Sequence, residues 1–126
     1  MEKVVQQKKN SSANMGKLAI SDKAGITLIN IEEINYLEAD GNYTHVYFNR
    51  SKEVITMRIG EIIEKLPKKH FHRIHRTYVV NIQVVKSLVK KGKYMVILMD
   101  KTELSISRAE RTSFQNALED RSNFLN

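Results

Sequence analysis

Short runs of alternating or β-branched residues, separated by turn-forming residues, occur along most of this chain and restrict it to a mostly β fold. Tyr43–Phe48 alternates and is rich in Tyr, Thr and Val, and the turn-forming Asp40-Gly41-Asn42 precedes it. Such residues favour strands and turns respectively. The same pattern predicts strands at 18–21, 26–30, 34–39, 53–57, 78–80, 84–89, 94–99 and 103–106, with a hairpin loop at Lys90-Lys91-Gly92-Lys93.

Two segments change to helical spacing. Ile59, Ile62, Ile63 and Leu66 are spaced i, i+3, i+4 and i+7, and Pro67 is expected to end this helix. The sequence at 107–110 is S-x-x-E, a capping box that predicts the start of a second helix. We therefore expect a mostly β domain with many short strands and about two short helices.

Length and composition predict one folded domain. The chain has 126 residues, of which 41% are hydrophobic, enough for a single core. Residues 1–16 are polar and are interpreted as a flexible linker or added tail, so the domain is expected to cover 17–126. The absence of cysteine excludes disulfides and thiolate chemistry. Apolar runs are too short to span a membrane, and no signal peptide is recognisable, so we expect a cytoplasmic protein.

Positive charge is concentrated in the second half of the chain. The formal net charge is +7. Residues 65–99 contain no Asp or Glu but nine Lys or Arg residues, namely Lys65, Lys68, Lys69, Arg73, Arg76, Lys86, Lys90, Lys91 and Lys93. A one-sided positive field suits a polyanion such as nucleic acid. The alternative is a solvated basic face that only maintains solubility.

No motif predicts catalysis, a cofactor or a metal site. The sequence lacks the G-x-S-x-G elbow, the P-loop and the G-x-G-x-x-G motif. His70, His72 and His75 are closely spaced, but no carboxylate accompanies them, and the neighbouring Lys and Arg residues would repel a divalent cation. A structural or phosphate-facing role is the preferred interpretation of these histidines.

The segment 71–81, with the sequence FHRIHRTYVVN, carries the densest signal. Its apolar residues (71, 74, 78, 79 and 80) are expected to anchor it in the core. Its polar and cationic residues (72, 73, 75, 76 and 77) are then expected to project outward. The planar fork of Arg76 can contact guanine or enter a narrow minor groove, and the Thr77 hydroxyl can contact a phosphate. Ordinary strand surface is the alternative.

Three blocks follow one another along the chain: INYLEADGNYT at 34–44, the segment 71–81, and LSISR at 104–108, which leads into the last helix. Together they resemble the LytTR domain, the DNA-binding output domain of LytR/AlgR-type response regulators. The resemblance extends from about residue 17 to about residue 118. It implies about ten short strands in small sheets, with loops rather than a recognition helix reading the DNA.

The resemblance also implies roles for individual residues. Thr44 falls at a base-reading position in one major groove, with Asn42 and His45 as neighbours in the same loop. Arg76 falls at the intervening minor-groove position, and Arg108 at the position for the other major groove. Thr77 and Arg111 are implied phosphate neighbours, and we add Lys69, Arg73 and Lys93 as phosphate contacts.

We accordingly predict sequence-specific binding of double-stranded DNA for transcription regulation, with two copies on repeated sites. Family proteins usually carry an N-terminal receiver domain, which is absent from this sequence. We favour a piece cut from a longer protein, with residues 1–16 as the remnant of a linker, over a protein that acts alone. Two alternatives stay open: a β-rich module that binds RNA or single strands, and an interaction domain that does not bind nucleic acid.

Overall fold

A computed structural model describes residues 15–49 and 51–125. The predicted tail at 1–16 lies outside the described residues except for its last two. The described residues form ten strands in three small antiparallel sheets and two α-helices. The prediction of a mostly β fold with about ten short strands is confirmed, although the second helix, at 18 residues, is not short.

A five-stranded sheet forms the centre of the domain, with strand order β5-β4-β3-β7-β6. Its strands are β3 (Tyr36–Asp40), β4 (Tyr43–Phe48), β5 (Ser51–Ile55), β6 (Phe71–Arg73) and β7 (Tyr78–Asn81). β4 has the predicted bounds because its alternation is strict: Thr44 and Val46 are buried, whereas His45 and Tyr47 are half-buried. Gly41 has a φ of 63° in the turn between β3 and β4, a conformation that glycine adopts at no steric cost.

Two smaller sheets flank the central one. β1 (Lys17–Asp22) and β2 (Gly25–Asn30) form a hairpin, and β8 (Val85–Lys91), β9 (Lys93–Leu98) and β10 (Glu103–Ser105) form a sheet in the order β10-β9-β8. Gly92 turns the chain between β8 and β9 with a φ of 77°. The hairpin loop predicted at 90–93 is therefore shorter than expected, because Lys90 and Lys91 continue the strand.

The two helices are α1 (Ile59–Ile63) and α2 (Arg108–Leu125). The apolar spacing predicts that α1 continues to Leu66, but its last turn tightens. The N–H groups of Lys65 and Leu66 donate to carbonyls three residues earlier, at 2.9 and 3.2 Å. Such i→i−3 bonds are common where a helix ends. Leu66 nevertheless stays buried, so the pattern identified the core face correctly and overestimated the helix length.

The central sheet separates two apolar clusters. Leu37, Val46 and Val79 are fully buried on one side, together with the inward face of the β1–β2 hairpin and α1. Val80 lies on the other side with Val96, Leu104 and Phe114, which join the three-stranded sheet to α2. The central sheet contributes residues to both clusters. Apolar packing on both of its faces therefore supports the loops at its ends.

Candidate nucleic-acid interface

The loop between β6 and β7, residues 74–77, is fixed by hydrogen bonds to its own backbone. Ile74 is fully buried, and its N–H donates to the Tyr78 carbonyl oxygen at 3.1 Å. Arg73 closes the loop, since its Nη2 donates to the Arg76 carbonyl oxygen at 2.6 Å and its Nε to that of His75 at 3.3 Å. The Arg76 side chain is exposed at the tip. Arg73 therefore supports the loop that presents Arg76.

The turn between β3 and β4 lies beside this loop. The N–H of Ala39 donates to the Thr77 carbonyl oxygen at 2.8 Å, which ties the end of β3 to the loop. Asn42 follows in the turn and Tyr43 begins β4, and both are exposed. The structure thus brings Asn42 to the same end of the central sheet as Arg76.

The start of α2 joins the loop from the opposite side. The N–H of Ser107 donates to the Ile74 carbonyl oxygen at 2.8 Å. Ser107 lines two adjoining surface clefts, the first with Arg73, His75, Arg76 and Glu110, and the second with Lys90, Lys93, Tyr94, Arg108 and Arg111. We call the surface formed by Arg73, Arg76, Lys90, Lys93, Arg108 and Arg111 the basic face.

The histidines near this face have structural contacts. His75 Nδ1 accepts the Thr77 N–H at 3.1 Å, which requires that nitrogen to be unprotonated. His72 lies 5.3 Å from the Phe114 ring, centroid to centroid, and burial lowers its pKa because the imidazolium is desolvated. Among the residues described, no group of three His, Cys, Asp or Glu side chains is placed to hold a metal ion. The basic face therefore takes its charge from Lys and Arg.

The structure corrects the prediction for Thr44. Its side chain is fully buried, and its hydroxyl donates to the Met57 carbonyl oxygen at 2.7 Å. Thr44 pairs with Ala39 and Ile55 on the inward face of the central sheet, between the fully buried Val46 and the turn. The register therefore directs this side chain into the core, and it does not reach a base.

We expect Thr44→Val to leave DNA sequence preference unchanged and to lower the free energy of unfolding by about 1–2 kcal/mol. Valine has a similar shape but removes the donor to the Met57 carbonyl. Urea unfolding measures the stability, and binding to two different duplexes measures the preference. Thr44→Ser keeps the hydroxyl and is the matched control. A change of preference in the valine variant with intact folding would restore Thr44 as a reading residue.

His45 was the predicted substitute for Thr44, and its imidazole is already engaged. Its Nε2 lies 2.9 Å from the Asp40 carboxylate, and its side chain is only 19% exposed. The carboxylate of Asp40 at this point would repel a nearby phosphate. His45 is therefore a weaker candidate contact than Asn42, which is exposed in the turn.

Lys69 is exposed but lies away from the basic face. β6 runs from Phe71, paired with Asn81, to Arg73, paired with Val79, and the loop that carries Arg76 follows Arg73. Lys69 precedes the strand, at the opposite end of β6. The structure therefore does not group Lys69 with the other predicted phosphate contacts.

The sequence did not predict two residues at this surface, Lys90 of the basic face and the neighbouring Tyr94. Lys90 belongs to the acid-free stretch but was not selected from it, and Tyr94 was read only as part of a strand. Tyr94 lies under two cations: the Arg111 guanidinium carbon is 4.5 Å from its ring centroid, and Lys90 Nζ is 5.9 Å away. Nothing in the linear order indicates this contact, because Arg111 reaches the ring from another element.

A sequence model of the LytTR DNA-binding domain matches residues 24–119. The chain belongs to the LytTR DNA-binding domain family, a family of DNA-binding transcription regulators of two-component systems. The resemblance stated from the sequence is thereby confirmed. Within the described residues, no helix is long and apolar enough to cross a membrane.

Curated relatives are similar to this chain in sequence, and a solved structure has the same fold. The chain is 29% identical to the transcriptional regulatory protein YpdB of Escherichia coli O6:H1, over 94% of this chain and 53% of that protein. It is 27% identical to the sensory transduction protein LytT of Bacillus subtilis, over 83% of this chain and 44% of that protein. A LytTr DNA-binding domain from Bacillus cereus has the same fold, with a TM-score of 0.69 at 20% identity, over 82% of this chain and 96% of that one. The chain spans about half the length of YpdB and of LytT.

Proposed function

We propose that this domain binds double-stranded DNA in a sequence-specific manner as the output domain of a two-component response regulator. The observation that carries the proposal is the convergence of three separate segments at one end of the domain. They present the exposed side chains of Asn42, Arg76 and Arg108 on or beside a surface rich in cations. Side chains on two loops and at the start of a helix, all at one end of the domain, suit groove reading without a helix lying in the groove.

The proposed DNA contacts are of two kinds, to bases and to phosphates. Asn42, Arg76 and Arg108 read base edges or groove width, since amide and guanidinium groups match the donor and acceptor patterns of bases. Lys93, Arg111, Thr77 and Arg73 contact phosphates and supply most of the affinity. Arg73 has a smaller part in this set, because two of its N–H groups already hold the 74–77 loop. Two copies are proposed to occupy repeated sites on the DNA.

Single-strand or RNA binding is the weaker alternative. Such modules stack bases on exposed aromatic rings. Here Tyr36 and Tyr47 stack on each other, with ring centroids 4.3 Å apart. Of the large hydrophobic side chains described as exposed, Tyr43 is the single aromatic one. A stacking platform is therefore not supported.

In vitro selection from random duplexes tests the proposal. We expect the domain to enrich a defined sequence, and the enriched duplex to compete better than single strands or RNA of the same sequence. If no sequence is enriched, base reading is wrong. If RNA or single strands compete better, the alternative is favoured. A domain that binds no nucleic acid at low salt would be an interaction domain of another kind.

The salt dependence of binding separates Lys93 from Lys69. If about five phosphates are neutralised, log K should fall with log salt at a slope near −4.5. Lys93→Ala should weaken binding to every duplex alike and make the slope less steep by about 0.9, because one phosphate contact is lost. Lys69→Ala is the matched control and should leave the slope unchanged. If Lys93→Ala and Lys69→Ala had the same salt slope, the assignment of Lys93 but not Lys69 to the basic face would be wrong.

A further inference from the structure

Tyr94 connects the β8–β9 hairpin to the start of α2. It is half-buried on β9 and pairs with Lys90 of β8. Its ring centroid lies 4.5 Å from the Arg111 guanidinium carbon and 5.9 Å from Lys90 Nζ. Both distances are within the range of about 6 Å over which an aromatic face attracts a cation. One ring therefore contacts a cation from the hairpin and another from the helix.

The contact restricts the direction of Arg111. A free arginine side chain loses rotamer entropy when it is fixed. Here the guanidinium carbon lies over the ring, 4.5 Å from its centroid, and Nη1 donates to the Gln115 side-chain oxygen at 3.5 Å, one turn further along α2. Arg108 precedes Arg111 by three residues and so shares its side of the helix. Arg111 is thus held in place next to a proposed base-reading residue.

The surrounding cleft is positively charged. Its lining includes Lys90, Lys93, Arg108 and Arg111. No acidic residue of the described part of the chain lines it. The nearby Glu103 carboxylate is bound by Lys91, with Nζ 3.0 Å from the carboxylate oxygen. A cleft of this kind attracts an anion of phosphate type. The contribution of the Tyr94 ring is to hold the two cations.

We propose that Tyr94 is a positioning residue for DNA binding. Its ring holds Lys90 and Arg111 as a pair that binds one backbone phosphate of duplex DNA beside the Arg108 contact. The inference rests on the proposed function and adds to it the pairing of these two cations. Tyr94 itself does not touch the DNA, and without its ring neither cation would be held ready for the phosphate.

The experiment compares Tyr94→Leu with Tyr94→Phe in the full chain. Fluorescence anisotropy measures binding to the selected duplex and to an unrelated duplex over a salt series. We expect Tyr94→Leu to lower affinity about three- to tenfold on both duplexes and to make the salt slope less steep by about 0.9. Tyr94→Phe keeps the ring and should retain the affinity and slope of the wild type. A merely structural role for Tyr94 would not predict this selective change of slope.

A double variant tests whether Tyr94 acts through Arg111. Tyr94→Leu combined with Arg111→Gln should lose no more affinity than the more damaging of the two single changes. Additive losses would overturn the proposal, as would a folded Tyr94→Leu variant with the salt slope and affinity of the wild type. The unfolding midpoint of each variant identifies any general loss of structure.

If Tyr94→Leu fails to fold, the two cations provide the test. Lys90→Gln and Arg111→Gln should each make the salt slope less steep by about 0.9, and the double variant by no more than that, because both bind one phosphate. A double variant that changes the slope twice as much would overturn the pairing. A wild-type domain that binds no duplex at low salt would instead overturn the proposed function.

Discussion

Arg108→Ala is expected to weaken binding to the selected duplex by about 1–3 kcal/mol, or roughly 5- to 150-fold, with little effect on an unrelated duplex. Arg108 is exposed at the first residue of α2, where it lines the same cleft as Lys93 and Arg111. A guanidinium fork donates two parallel hydrogen bonds to a guanine edge, and the methyl group of alanine donates none. Competition binding with single-base variants of the site measures the loss position by position.

Two further variants make this result specific. Arg108→Lys keeps the charge but removes the planar fork, so it should restore non-specific affinity without restoring sequence preference. Arg111→Ala should weaken binding to all duplexes alike, since Arg111 is proposed to contact phosphate. Equal losses on every sequence for Arg108→Ala would show that this residue also contacts only the backbone.

Asn81→Leu is expected to lower the free energy of unfolding by about 2–4 kcal/mol, since one buried and one partly buried backbone group lose their partners. Asn81 is fully buried at the end of β7. Its Nδ2 donates to the Ile34 carbonyl oxygen at 2.9 Å, and its Oδ1 accepts the Gln83 N–H at 2.9 Å. Leucine has a similar volume but can do neither. Urea unfolding measures the change.

Gln83→Ala is the control for Asn81→Leu. It keeps the backbone N–H that Asn81 accepts and removes only an exposed side chain, so stability should change by less than about 0.5 kcal/mol. A loss below about 1 kcal/mol for Asn81→Leu would mean that water or a shifted backbone replaces both hydrogen bonds.

Much of the fold could be predicted because local patterns and tertiary packing agree. The bounds of β4 follow from its alternation, and the start of α2 follows from the capping sequence at 107–110. β6, at Phe71–Arg73, was not predicted as a separate strand, since three residues among histidines and arginines carry little periodic signal. It forms because β7 offers an edge for pairing and Phe71 is buried in the core.

Only some residues of the candidate site could be predicted, and the reason differs from that for the fold. Exposure of Arg76 and Arg108 agrees with their charge, because ionised side chains are rarely buried without a partner. Thr44 was misjudged because a threonine is tolerated on either face of a strand. Its direction depends on the register with Ala39 and Ile55, and a shift of one residue would reverse it.

The sequence alone determined that this chain forms short strands and carries an excess of positive charge in its second half. Both properties are local, since hydrophobic alternation and ionisation depend on the residues themselves. Only the tertiary structure decided which cations share a surface. Arg76 and Arg108 are far apart along the chain, and they share one end of the domain because the N–H of Ser107 donates to the Ile74 carbonyl oxygen. Such contacts depend on the packing of separate sheets, which no local pattern specifies.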